Sequence, residues 1–528
     1  MDENRRLTRA TGVVGAATLL SRILGYVRDM VIAAVLGAGM ASDAFFVAFR
    51  IPNLLRRLFA EGSLTIAFVP VFLEQLKKKG KQDAFEMARS AILVLSAILA
   101  FVTIAGIIFS PAIIHIIGFG FVDLPEKFGL TVKLTRIMFP YLFFICLVAL
   151  SMGILNSMGH FAAPAIAPVF LNIAMIAAIW IASLFSNNPA AHAIGLAWGV
   201  IAGGVLQLVL QLPFLARAGL RLAGKARLFH PAIKKVGALM VPAVFGSAVY
   251  QLNIIIGTLL ATMLPEGSVS YLYYADRLVQ FPLGVFAISA ATAALPSISR
   301  QAAAGDLDAA IDTFGYSMRF ILFISIPAMV GLIVLREPLV ELLFQRGGFD
   351  ARAAGMTADA LLYYGIGLWA FSAVRIVVST FYAFSDTKTP VVMAVIAICI
   401  NCELSLVLMG PLLHCGLALA TSIASMVNLL LLTRALHAKL GRLGLADVLR
   451  SALKTVVSSA LMGLAVWFAS HGLMPPGSGF VAHLLGISAC VALGVASFLL
   501  FSYILKSREL GDLFVGIWRP ARENIDGK

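Results

Sequence analysis

Charged side chains are scarce in this sequence. Asp, Glu, Lys and Arg make up 12% of its 528 residues, whereas hydrophobic residues make up 60%. Soluble globular domains contain about 25% charged residues, so the composition excludes that class. The mean hydropathy of +0.96 and the long apolar stretches indicate an all-α polytopic membrane protein.

Cysteine is also rare, with five residues in the chain. All five lie in or beside apolar segments, where cysteine behaves as a small hydrophobic residue. Cys399 and Cys402 are one helical turn apart, but no second pair or histidine set accompanies them to complete a zinc site. We therefore expect no disulfide framework, no metal site and no cofactor.

Acidic residues are fewer than basic ones, and the formal net charge is +14. A basic excess can indicate nucleic-acid binding. Here the basic residues outside the apolar segments are concentrated in particular loops, which is typical of membrane topology signals. The charge therefore predicts orientation in a membrane and argues against a nucleic-acid partner.

Apolar windows of about 20 residues, bounded by Pro, Gly and charged residues, predict about fourteen transmembrane helices. They lie near 11–36, 43–72, 86–110, 133–155, 161–185, 193–216, 234–263, 269–298, 315–336, 357–383, 389–410, 415–436, 451–471 and 482–505.

Loops rich in Lys and Arg follow the second, sixth and twelfth predicted spans, and all three fall on one side. By the positive-inside rule, that side is cytoplasmic and so are both termini. The loops at 37–42, 186–192, 264–268 and 472–481, nearly free of Lys and Arg, then face outward. The outward loop 336–354 is an exception with three arginines, and we interpret it as an amphipathic turn at the interface.

An internal repeat organises the chain. A shift of 226 residues places Pro70 on Pro296 and Pro164 on Pro390, which predicts two six-helix lobes over 1–220 and 221–445. Each lobe has an even number of spans, so both have the same orientation and a pseudo-two-fold axis along the membrane normal relates them. Two further C-terminal helices occupy 446–510, and a cytoplasmic tail occupies 511–528.

The segment from Ser21 to Glu61 places five arginines in otherwise apolar sequence: Arg22, Arg28, Arg50, Arg56 and Arg57. An arginine at the centre of a membrane helix costs about 2.5–3.5 kcal/mol on insertion scales and normally faces a cavity or a partner. Several together favour an anionic ligand, and Arg22 and Arg28, about 9 Å apart along a helix, suit a diphosphate. Snorkelling to the headgroups stays an alternative, above all for Arg50 and Arg57.

A second polar cluster lies in VSYLYYADRLVQFP, residues 269–282. Asp276 and Arg277 are deep enough in an apolar segment to need partners. Arg277 is placed to face a cavity, whereas an Asp–Arg pair that closes a gate is the alternative for Asp276. Arg375 and Glu403 are lone intramembrane charges, for which a structural ion pair and a transport role are both open.

Three motifs, LSRILGYVRD, DAFFVAFRIPNLLRRLFAEG and YYADRL, occur in this order. They resemble the motifs of the MurJ (MviN) family of lipid II flippases, and the resemblance covers essentially the whole chain. It implies the fold of the multidrug/oligosaccharidyl-lipid/polysaccharide exporter superfamily, with a central cavity between two lobes and a lipid-tail groove formed by 446–510. It also implies a transporter, not an enzyme, in the bacterial cytoplasmic (inner) membrane.

The resemblance assigns roles to individual residues. Substrate binding falls on Arg22, Arg28, Arg56 and Arg277, shared between the two lobes. Supporting or gating roles fall on Ser21, Asp29, Asp43, Glu61, Ser270 and Asp276. The implied activity moves the undecaprenyl-diphosphate-linked peptidoglycan precursor from the cytoplasmic to the outer leaflet by alternating access. The implied partners are lipid II, membrane lipids and the cell-wall synthesis machinery.

Ion coupling is where the sequence departs from the pattern of the family. Some members hold sodium with carboxylates on helices seven and eleven, whereas the seventh span here has Gln251 and Asn253. Glu403 and Asn253 are therefore the candidates for ion coupling. The coupling ion, sodium or a proton, stays open.

Other functions fit the sequence less well. A flippase for another polyprenyl-diphosphate-linked oligosaccharide, of the O-antigen type, also needs cationic groups, but the YYADRL and LLRRLFAEG motifs argue against it. A multidrug antiporter needs acidic cavity walls for cationic drugs. An intramembrane enzyme needs a clustered acidic or histidine site near a leaflet surface, and the sequence offers none.

Overall fold

The computed structural model describes residues 3–58, 64–221, 224–228, 230–473 and 479–512, and within these ranges the regular structure is helical. The chain divides into two compact units. Unit 1 comprises Met1–Ser270 together with Arg346–Asp350, and unit 2 comprises Tyr271–Gln345 and Ala351–Lys528. The lobe boundaries at 220 and 445 stay predictions.

The described residues of unit 1 form nine α-helices and the first residues of a tenth. They are α1 (Glu3–Leu36), α2 (Met40–Leu58), α3 (Leu64–Ile108), α4 (Ser110–Ile117), α5 (Pro125–Met138), α6 (Tyr141–Ser157), α7 (Ala162–Phe185), α8 (Pro189–Arg217), α9 (Pro231–Thr262) and α10 (Ser268–Pro282). A short 3-10 helix, Phe119–Phe121, precedes α5.

Unit 2 continues α10 and contains the remaining described helices. After a π-helical segment at Leu283–Ala287 follow α11 (Ile288–Ala303), α12 (Leu307–Val334), α13 (Arg336–Phe344), α14 (Ala351–Ile366), α15 (Leu368–Ala383), α16 (Lys388–Leu412), α17 (His414–Leu440), α18 (Leu445–Leu473) and α19 (Phe480–Ile504).

Ten of the helical stretches in the described residues are long and apolar enough to cross a membrane, or eleven if the bent pair α14 and α15 forms one span. These eleven correspond to eleven of the predicted spans. The other three predictions, 11–36, 43–72 and 234–263, fall on α1, on α2 with the start of α3, and on α9, and each includes residues outside those searched for apolar spans. The chain is a multi-pass helical membrane protein, and the count of fourteen stays a prediction.

The lysine-rich segment after the second predicted span is helical instead of forming a loop. Helix α3 runs from Leu64 to Ile108 and is interrupted at Gly80, whose φ of 86° is left-handed. Gly80 tolerates that conformation because it has no Cβ. Lys77, Lys79 and Lys81 are therefore exposed on a kinked helix.

Close packing against α8 fixes the position of α7, the helix that carries Asn172. Gly195, Gly199 and Gly203 recur every four residues on α8, so they lie along one stripe of the helix. A Cβ at Gly199 would lie 2.6 Å from the Cβ of Ala178, and one at Gly203 would lie 2.6 Å from Leu171 Cδ1. Glycine allows such close helix contacts in membranes, and it holds α7 close against α8.

Candidate substrate-binding site

Arg28 is buried in unit 1 and hydrogen-bonded to two polar side chains. It lies on α1 with 6% of its surface exposed, and Asp29 beside it is 1% exposed. The Arg28 Nε and NH2 groups donate to Asp29 Oδ1 at 3.0 and 2.7 Å, and NH1 donates to Asn172 Oδ1 at 3.0 Å. The adjacent carboxylate compensates the charge, which a buried guanidinium requires.

Asn172 joins α7 to α1 at this arginine. Its Nδ2 donates to the Ser21 carbonyl oxygen at 3.0 Å, while its Oδ1 accepts from Arg28. The amide thus contacts two positions seven residues apart on α1, which lie on one stripe of that helix. Because both ends of the amide are occupied, Asn172 holds the guanidinium in one orientation. The contacts of Arg28 with Asp29 and Asn172 use three N–H groups of a guanidinium that has about five.

The other predicted binding arginines of unit 1 are in different surroundings. Arg22, also on α1, is exposed, whereas Arg28 is buried; six residues place the two side chains about 120° apart around the helix. Arg56, in the last turn of α2, is half-buried, and its Nε and NH2 donate to Asn53 Oδ1 at 3.1 and 3.0 Å. Glu61, predicted to support the site, lies outside the described residues.

Asp43 lies at the centre of a second buried polar cluster in unit 1. Its Oδ2 accepts from Lys127 Nζ at 2.8 Å and from the Gly267 N–H at 2.8 Å. Its Oδ1 accepts from the Ser270 N–H at 3.0 Å and from the Ser270 hydroxyl at 2.7 Å. Asp43 is 1% exposed and Ser270 is fully buried. The structure therefore brings together Asp43 and Ser270, two of the residues predicted to have supporting or gating roles.

Contacts among residues of unit 1 extend this cluster along parts of three predicted outward loops. The Met40 N–H donates to Glu266 Oε1 at 2.5 Å, and the Gly348 N–H donates to the Ala34 carbonyl at 2.7 Å. Gly37 has φ 65°, and a Cβ there would lie 2.3 Å from the Gly348 carbonyl oxygen. Only glycine permits that approach. The loops 37–42, 264–268 and 336–354 thus contribute residues to one packed surface.

The predicted residues of unit 2 form local pairs along α10. Arg277 lies over the Tyr273 ring, 5.5 Å from its centroid, a cation–π contact one turn apart. Gln280 donates a short hydrogen bond to Asp276 Oδ2. Asp276 and Arg277 are both half-buried, and their proposed roles stay predictions.

The ion-coupling candidates lie on different helices. Glu403 is exposed on α16 and Asn253 is half-buried on α9. Within the described residues, no group of three His, Cys, Asp or Glu side chains is placed to hold a metal ion. Ion coupling therefore stays a prediction.

The sequence analysis did not predict two of the residues that make these contacts, Asn172 and Lys127. Asn172 is the single carboxamide in the apolar helix α7, and an amide in such a segment is itself a signal that it has a partner. Lys127 lies six residues before the predicted start of span 133–155, because charged residues ended that apolar window. The structure begins α5 at Pro125, which brings Lys127 into the helix.

A family model and individual proteins of similar sequence match most of this chain. A family model described as "Lipid II flippase MurJ" matches residues 32–487. A Vibrio cholerae protein named "Probable lipid II flippase MurJ" is 38% identical over 513 residues, covering 96% of this chain and 97% of that protein. A Burkholderia cenocepacia protein named "Lipid II flippase MurJ" is 39% identical over 431 residues, covering 81% and 83%.

Solved structures agree with this relationship. One described as "Lipid II flippase MurJ, inward closed conformation" has a TM-score of 0.75 and 26% identity, and the match covers 95% of this chain and 99% of that one. An inward-facing multidrug resistance transporter of the MATE family in the MOP superfamily has a TM-score of 0.67 at 16% identity, which indicates a shared fold alone. The extent of these matches shows that the chain belongs to the MurJ family.

Proposed function

We propose that this protein is a lipid II flippase, which moves the undecaprenyl-diphosphate-linked peptidoglycan precursor from the cytoplasmic to the outer leaflet by alternating access. Membership of the MurJ family supports the activity and the substrate. The observation that carries the proposal is Arg28, a buried cation held in one orientation inside an apolar unit. Of the alternatives, neither an O-antigen flippase nor a multidrug antiporter is favoured by the matched family.

The chemistry of arginine suits a diphosphate. A guanidinium offers planar, paired N–H donors that match two phosphate oxygens, and charge-assisted bonds of this kind are roughly twice as strong as neutral ones. Arg28 retains N–H groups beyond those bound to Asp29 and Asn172. In this proposal those groups bind the diphosphate. Arg22 and Arg56 contribute further positive charge from unit 1, and Arg277 is proposed as a binding residue of unit 2.

The proposal includes a topology and a cellular location. The chain has fourteen transmembrane helices in two six-helix lobes followed by two C-terminal helices, in the bacterial inner membrane with both termini in the cytoplasm. The exposed lysines of α3 and the basic residues at 217–235 support a cytoplasmic position for these segments. We propose no cofactor, either sodium or a proton as the coupling ion, and the cell-wall synthesis machinery as a partner.

Arg28→Lys tests the binding role. Lysine keeps the positive charge but cannot form the paired contacts, so we expect lipid II affinity in nanodiscs to fall about 10-fold or more, the equivalent of about 1.4 kcal/mol. Arg442→Lys is a matched control, because Arg442 is highly exposed and paired with Asp308. Equal affinity for wild type and Arg28→Lys would contradict the assignment.

Asn172→Leu tests whether orientation of the guanidinium matters. Leucine has nearly the same size but cannot accept from Arg28 or donate to the Ser21 carbonyl, so the arginine keeps Asp29 and loses its fixed orientation. We expect lipid II affinity to fall about 10-fold or more, since a hydrogen bond to a charged group contributes about 1.5–3 kcal/mol and about 1.4 kcal/mol is a factor of ten. Binding is measured as above, with Asn188→Ala as a control at an exposed helix cap. An unchanged affinity would show that Asn172 serves packing alone.

The proposed orientation predicts opposite labelling of two exposed positions. In a cysteine-free background, Asn187→Cys on the outward loop reacts with an impermeant thiol reagent applied to intact cells, whereas Lys79→Cys does not. Permeabilised cells serve as the control, since both positions then react. Labelling of Lys79→Cys in intact cells would reverse the topology.

A further inference from the structure

The partners of Asp43 come from two separate parts of unit 1. Lys127 lies in the first turn of α5, within the first half of the internal repeat, as Asp43 itself does. Gly267 and Ser270 lie in the segment 264–270, which belongs to the second half. Asp43 therefore has one ionic partner from its own half and three hydrogen bonds from the other.

Burial and two contacts hold the Lys127 side chain beside Asp43. Its side chain is buried with 4% exposed, and Nζ lies 2.8 Å from Asp43 Oδ2 and 4.3 Å from the centroid of the Phe121 ring. A buried ammonium needs a counter-charge, and the aromatic face adds a cation–π contact. Together, Lys127 and Asp43 form an electrically neutral pair within the same half of the repeat.

Alternating access imposes a requirement on this cluster. The step rests on the proposed function: when the protein opens outward, the segment 264–270 must leave α2. If the counter-charge of Asp43 were on that segment, opening would separate an ion pair and leave two buried charges uncompensated. With the counter-charge on α5, opening breaks hydrogen bonds to neutral groups, which water can replace.

We propose that Lys127 is a positioning residue that keeps Asp43 charge-compensated in both access states, so that outward opening breaks three hydrogen bonds to the Asp43 carboxylate and separates no ion pair from it. Lys127 then sets the balance between the closed and the open outward side. Its loss leaves the Asp43 carboxylate buried without this counter-charge in the closed state, and favours the open state, in which water hydrates the carboxylate.

The experiment compares Lys127→Met with the double variant Asp43→Asn/Lys127→Met. Both carry Ala41→Cys as a reporter, since Ala41 is buried two residues before Asp43 and on the predicted outward side. An impermeant thiol reagent reports opening of the outward side in nanodiscs. Lys133→Met is the matched control, because Lys133 is an exposed lysine on the same helix.

We expect Lys127→Met to speed labelling of the reporter about tenfold, a typical size for a coupling between two states. The double variant carries no uncompensated charge, and the asparagine oxygen still accepts from the segment 264–270, so labelling returns to within about threefold of wild type. Lys133→Met labels like wild type. Circular dichroism and a monodisperse gel-filtration profile identify folded protein, and the double variant provides a test if Lys127→Met does not fold.

Three results would overturn the inference: wild-type labelling in Lys127→Met, slower labelling in that variant, or no recovery in the double variant. A merely structural role for Lys127 predicts the last of these. The labelling readout does not need lipid II. If labelling follows the expectation and lipid II is not transported, the proposed function fails while this inference stands.

Discussion

The central constraint on this protein is that a charge inside an apolar helical unit must be compensated by a partner within reach. Two pairs in unit 1 meet it in different ways. Arg28 and Asp29 are neighbours in sequence on α1, whereas Asp43 and Lys127 are 84 residues apart on α2 and α5. The first pair keeps a cation neutralised within one helix, and the second fixes the position of two helices relative to each other.

This difference suits the two proposed roles. The carboxylate of Asp29 balances the charge of Arg28, and the neutral amide of Asn172 orients the guanidinium without adding charge. A guanidinium held in this way keeps N–H groups for an anionic ligand. Asp43, in contrast, accepts four hydrogen bonds and has its charge compensated within the cluster. It is suited to holding segments together, not to binding substrate.

Sequence analysis predicted the class of fold and several members of both clusters, because an intramembrane charge is conspicuous in apolar sequence. Arg28, Asp43 and Ser270 were identified in this way or by resemblance, and the structure buries all three. Asn172 and Lys127 were missed, since partner choice depends on which helices pack together. The spacing of Gly195, Gly199 and Gly203 is readable in the sequence, but that α8 packs against α7 is a tertiary fact. The helical conformation of the lysines on either side of the break at Gly80 was missed because charge alone suggested a loop.

Transport of lipid II in a reconstituted system tests the central claim most directly. Vesicles carry lipid II with a fluorescent group on its peptide, and a membrane-impermeant quencher reports which leaflet holds it. The account predicts that lipid II crosses the bilayer in vesicles with the wild-type protein at least about tenfold faster than in protein-free vesicles, and that Arg28→Ala abolishes the increase. A wild-type rate equal to that of protein-free vesicles, or an Arg28→Ala rate equal to wild type, would contradict the account.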